Sequence, residues 1–207
     1  MKNKFPRHLR AFSLIEISIV LIIIGLITTA VFKGQDLIES ARIQASIEEL
    51  NQIKLSILTY RDRYGQWPGN DTLAQEHFGN TVENGDGKGV IQEKESIQVW
   101  KHLKAAGLSD SNHPPASKLG GYITVLSKPV DTLEGNWLVL SNDQNRLDGV
   151  LTPKQAMLLK AKVGEKIPGE GYFIIIGASG TDGSSCYKGQ SYNLSNKSPA
   201  CAVLLKL

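Results

Sequence analysis

Residues 12–32, FSLIEISIVLIIIGLITTAVF, form an almost unbroken apolar run, and no other segment constrains the chain as strongly. Its length meets the roughly 20 residues that a helix needs to cross a bilayer. Glu16 is its only formal charge. At helical rise Glu16 lies only about 6 Å from the start of the run, where interfacial water softens the ~2.5–3.5 kcal/mol cost of an acid at mid-bilayer. Lys2, Lys4, Arg7 and Arg10 precede the run and Lys33 follows it. The more positive flank is N-terminal, so the expected orientation is single-pass, with the N-terminus cytoplasmic and the C-terminal bulk outside.

Those four leading cations exceed the formal net charge of +3, so the remaining chain is slightly acidic. That balance argues against a nucleic-acid-binding surface. A hydrophobic content of 41% over 207 residues leaves enough material for one modest domain with its own core. An ordinary secretory signal would have an apolar core of about 7–15 residues ending at a small-x-small site. Here the core continues to Phe32, and only Thr28, Thr29 and Ala30 are weak candidates for such a site.

The junction RAFSLIE, residues 10–16, resembles the prepilin leader of type IV pilins and type II secretion pseudopilins. In that pattern a short basic leader is cut before a Phe that is followed by Ser or Thr, two aliphatics and a Glu. Phe12, Ser13, Leu14, Ile15 and Glu16 carry the match, and Met1 to Ala11 form the leader. The family usually has Gly before the cut, where this chain has Ala11.

The resemblance implies that a prepilin peptidase/methyltransferase cuts between Ala11 and Phe12 and N-methylates Phe12. Residues 12–32 then remain as a transmembrane and assembly helix. It implies a bacterial inner-membrane protein that enters a pilus or pseudopilus, with other subunits, an inner-membrane assembly platform and the lipid bilayer as partners. Glu16 would neutralise the terminal amine of Phe12 on a neighbouring subunit. A buried unpaired charge costs several kcal/mol, so such a pair acts mainly on register. The plain alternative is an interfacial Glu in the anchor of a single-pass extracytoplasmic binding or sensory protein.

Beyond Lys33, Ile43, Ile47, Leu50, Ile53, Ile57, Tyr60 and Tyr64 recur at three- and four-residue steps, with Gln44, Glu48, Gln52, Thr59 and Arg63 opposite and Leu55 as an exception. This spacing predicts an amphipathic continuation over residues 33–64, so that 12–64 would form one helix about 80 Å long. Gly25 and Gly34 are its weak points. YGQWPGND, residues 64–71, ends it. The region 65–207 reads as an extracytoplasmic α+β domain. Helices are expected at 72–77, 96–106 and 153–161, the last with Thr152 as N-cap, and strands at 122–126, 137–140, 172–176 and 202–205. The expected fold is a long N-terminal helix on a small, mainly antiparallel sheet, the general layout of the pilin-like resemblance.

Cys186 and Cys201 are the only cysteines. Outside the cytoplasm such a pair is most simply a disulfide, stabilising by about 3 kcal/mol for this loop length. Many type IV pilins close a C-terminal region this way and pseudopilins do so less often, so the pair leans toward a pilus. The large outer domain leans toward a minor subunit.

NGDGKGVIQEKE, residues 84–95, partly fits an EF-hand calcium loop. Its oxygens would come from Asn84, Asp86, the Val90 carbonyl, Gln92 through water and Glu95, with Gly89 at the turn and Ile91 supporting it. Lys88 stands where an oxygen ligand belongs, so the expected affinity is weak. The alternative is a polar, glycine-rich loop leading into a helix. No other cofactor is indicated.

His8, His77, His102 and His113 lack metal spacing, GASG at 177–180 falls short of a nucleophile elbow, and no phosphate-binding loop is present. The expected role is therefore structural rather than enzymatic. Trp67, Trp100 and Trp137 read as packing residues. The sequons at Asn70, Asn193 and Asn196 carry little weight if the chain is bacterial, as the leader resemblance implies.

Overall fold

The computed structural model describes residues 13–130, 133–178 and 183–207. The chain divides into two compact units, one ending at Ala41 and the other running Arg42–Leu207. Helix α1 (Leu14–Tyr64) contributes to both and continues through Gly25 and Gly34.

Between Leu14 and Phe32 α1 presents apolar side chains on every face. Leu14, Leu21, Leu26 and Phe32 are each at least 64% exposed. Its few hydroxyls are turned inward along the helix: Ser18 Oγ donates to the Ile15 carbonyl at 2.8 Å, Thr28 Oγ1 to Ile24 at 2.7 Å and Thr29 Oγ1 to Gly25 at 2.9 Å. Such back-bonding removes the hydroxyl groups as competitors for water and makes the segment more apolar than its composition suggests.

In the second unit the predicted stripe is the core face of α1. Ile43, Ile47, Leu50, Ile57 and Tyr60 are buried, Ile53 and Tyr64 are half-buried, and Leu55 stays exposed. After the turn at 65–72 come α2 (Ala74–Phe78) and α3 (Glu93–Ala105). Strands β1 (Tyr122–Ser127) and β2 (Asn136–Ser141) form a hairpin, α4 (Pro153–Lys162) follows, and β3 (Phe173–Gly177) returns to the sheet. A two-residue pair, β4 (Tyr187–Lys188) and β5 (Ser191–Tyr192), precedes β6 (Cys201–Lys206).

The main sheet is antiparallel throughout, in the order β1-β2-β6-β3. The last strand is therefore central, pairing Val139 with Leu204 on one side and Ile174 with Leu204 on the other. Alternate residues face opposite sides of a strand. Val125, Leu138, Leu140, Phe173, Ile175, Val203 and Leu205 join α1, α3 and α4 in the large core. Leu126, Trp137, Val139 and Leu204 point the other way and are covered with Leu147. Burial on both faces explains why these strands read as continuous apolar runs rather than alternating ones.

Local sequence fixes the helix starts. Thr152 Oγ1 accepts from Gln155 N–H at 3.3 Å, Gln155 Oε1 accepts from Thr152 N–H at 2.9 Å, and Pro153 takes the first helical position, a complete capping box. Helix α3 begins three residues before the expected start at 96, because Glu95 Oε2 reaches back to the Gln92 N–H at 3.0 Å and closes the first turn there. The structure is thus α+β, with a long N-terminal helix whose second half packs on a small antiparallel sheet.

Candidate functional site

Three places carry the residues singled out by sequence: the start of α1, the 84–95 loop and the cysteine pair. Ala11 and Phe12 lie outside the described residues. Glu16 sits in the first helical turn, its N–H bonded to the Ser13 carbonyl at 3.1 Å, and its side chain is exposed. Among the described residues no side chain meets its carboxylate. A continuous apolar surface with one carboxylate near its end is suited to packing in lipid or against other apolar helices.

The turn 65–72, read from sequence only as the end of α1, is a junction of the second unit and leads to the 84–95 loop. Gly69 adopts a φ of +84°, and a Cβ there would come within 2.6 Å of the Glu95 carbonyl oxygen, so α3 can approach only a glycine. Its N–H donates to His102 Nδ1 at 3.0 Å, while His102 Nε2 donates to the Glu83 carbonyl at 2.8 Å. This arrangement requires the neutral imidazole with its proton on Nε2. Burial pushes the His102 pKa below its usual value.

Asp71 is fully buried and accepts from Tyr60 Oη at 2.7 Å and from the Leu73 N–H at 2.8 Å, with His77 Nδ1 at 3.3 Å. Burial and the Asp71 carboxylate together drive the Tyr60 phenol pKa upward, so it remains a donor. Sequence spacing did not find this cluster, because Tyr60, His77 and His102 approach one another only when α1, α2 and α3 pack. Asp71 beside the Gly69 turn was the one available signal.

Asn70, between these two, reaches into the 84–95 loop. Its Nδ2 faces Asp86 Oδ1 at 2.7 Å, Glu95 Oε1 at 2.9 Å and the Val90 carbonyl at 3.5 Å. Lys88 Nζ lies 2.6 Å from Asp86 Oδ2, and its hydrogen bonding holds the Asp86 pKa down to about 2. Gln92 donates its side-chain amide to the same Asp86 oxygen at 3.1 Å. Asn84 turns away, its Oδ1 accepting from the Gln75 N–H at 2.8 Å. Asp86, Val90 and Glu95 therefore converge, Asn84 does not join them, and the point of convergence is taken by an amide. This set does not fit a calcium ion, which takes six to eight oxygens and tolerates no ammonium among them.

The cysteines are joined. Cys186 and Cys201 form a disulfide with a Cα–Cα distance of 5.2 Å, both residues buried, tying the segment before β4 to the first residue of the central strand β6. Around it Asn193 Nδ2 donates to the Ser184 carbonyl at 3.1 Å and Asn196 Nδ2 to the Ser185 carbonyl at 2.8 Å. With Asn70, all three sequon amides are thus used inside the fold. Trp100 and Trp137 are buried, and Trp67 is half-buried with the Arg61 guanidinium 4.3 Å from its ring centre.

No family model matches the chain, and no curated protein matches it. A solved structure, that of the major type IV pilin PilA1 from Clostridium difficile, is similar at 15% identity with a TM-score of 0.41, covering 81% of this chain and 95% of that one.

Proposed function

We propose that the chain is a type IV pilin-like structural subunit, more specifically a minor one, inserted in the bacterial inner membrane as a precursor. A prepilin peptidase/methyltransferase cuts between Ala11 and Phe12 and methylates the new amine, and the helix is then packed among other pilin or pseudopilin subunits by an inner-membrane platform. The observation that carries this reading is the stretch of α1 from Leu14 to Phe32. An exposed, all-apolar helical surface with Glu16 as its sole carboxylate follows directly on a basic leader and the FSLIE junction. A plain anchor has no need of an acid at that position. A subunit whose neighbours each present a positive N-terminus does, because an unmatched carboxylate in an apolar core costs several kcal/mol and so selects one register.

The test is the Glu16→Ala variant expressed beside the wild-type chain. The variant is expected to be trimmed normally yet to be missing from sheared filaments or from crosslinked assemblies. Incorporation at the wild-type level would remove Glu16 from the mechanism.

A further inference from the structure

The 84–95 loop has the sequence of a damaged cation loop, and its hydrogen bonds show what organises it instead. Asn70 is only 2% exposed, and its orientation is fixed from both ends. Oδ1 accepts from the Gly89 N–H at 2.7 Å, so the amino edge must face Asp86 Oδ1, Glu95 Oε1 and the Val90 carbonyl. Backbone bonds hold the two segments together: the Gly87 N–H donates to the Asn70 carbonyl at 3.2 Å and the Gly85 N–H to Asp71 at 2.7 Å. Gly85 is required for this approach, since a Cβ there would lie 2.3 Å from the Asn70 backbone.

The charges also close without a metal. Lys88 gives one positive charge to Asp86, with its own N–H on Asp86 Oδ1 at 3.0 Å. Glu95 needs no second cation. Its Oε1 accepts from the Asp86 N–H and its Oε2 from the Gln92 N–H, each at 3.0 Å, and it sits in the first turn of α3, where the helix dipole favours an anion. Every carboxylate oxygen of Asp86 and Glu95 therefore has a donor.

We infer that the Asn70 amide and the Lys88 ammonium together occupy the place of a divalent cation, making the loop a metal-independent brace between the 65–72 turn and the start of α3. A calcium ion entering here would displace the Asn70 amino group from three oxygens and face the Lys88 charge, while Asn84 stayed bonded to α2. The same geometry predicts how the site is converted. Asn70→Asp places a third carboxylate among the converging oxygens, and Lys88→Asn removes the competing ammonium.

The experiment is thermal unfolding of the full chain in detergent micelles, in EDTA and in millimolar CaCl2. The wild-type protein is expected to unfold at the same temperature in both. The double variant N70D/K88N is expected to unfold several degrees lower in EDTA and to recover in calcium, since a ligand that binds only the native state stabilises it in proportion to the logarithm of its concentration. A calcium-dependent rise in the wild-type protein overturns the inference, whether or not the variant folds. A folded double variant indifferent to calcium overturns it equally.

Discussion

At the scale of single residues, the second unit relies on a few buried polar side chains whose hydrogen bonds hold its loops. Lys160 is 1% exposed, yet its ammonium reaches Glu165 Oε2 at 2.6 Å, the Phe173 carbonyl at 2.7 Å and the Glu170 carbonyl. It thereby fixes the loop between α4 and β3, with all three of its donors used. Although partial burial opposes it, the Lys160 hydrogen bond and the backbone donors of Tyr172 and Phe173 hold the Glu165 pKa below its usual value. His102 works in the opposite sense. Its Nδ1 must stay unprotonated to accept from Gly69, whereas the unfolded chain binds a proton near the ordinary value of 6.5. The unfolded state then holds more protons, so stability is full above pH 6.5 and declines as pH falls through that value toward the lowered native one. Unfolding curves measured across this range are expected to show that decline, and the His102→Gln variant is expected to show a shallower one. Equal slopes would mean that His102 is not the group responsible.

At the scale of elements, the long helix was legible from its spacing because both halves obey a simple rule, apolar throughout and then apolar on one arc. The four long strands were legible as apolar runs, and Thr152-Pro153 announced α4. The order β1-β2-β6-β3 was not legible, since nothing in the apolar strand sequence CAVLLK tells which strands will flank it. The β4–β5 pair escaped because two-residue strands leave no periodicity. The 84–95 loop was open to two readings in the sequence. Glu95 looked like a terminal ligand because a capping-box glutamate and a cation-loop glutamate occupy the same position, just inside a helix start. Asn70, whose amide meets Asp86, Val90 and Glu95, lies outside the motif. The disulfide joins two such elements, the short pair and the central strand. Replacing both cysteines by Ala is expected to cost about 3 kcal/mol, read as a lowered unfolding midpoint. Reduction of the wild-type protein should reproduce that shift. A midpoint unchanged by both would show that buried packing, rather than the cross-link, holds this region.

At the scale of the whole molecule, the two units have opposite requirements. Unit Arg42–Leu207 buries its own core on both sides of its sheet, braces its loops with Asn70, Asp71 and Lys160, and closes its C-terminal region by a disulfide. The first unit buries none of its membrane-length apolar segment. Within the described residues that surface has no cover, which suits it to lipid or to other apolar helices. Assembly is the reading under which Glu16, the leader and the exposed helix all have a purpose, and it depends on one covalent event at the Ala11–Phe12 bond. The most direct measurement is the N-terminal residue and intact mass of the mature protein recovered from its native membrane. The account predicts a chain that starts at Phe12 and carries one added methyl group, and a mature chain that retains Met1 and the leader would contradict it.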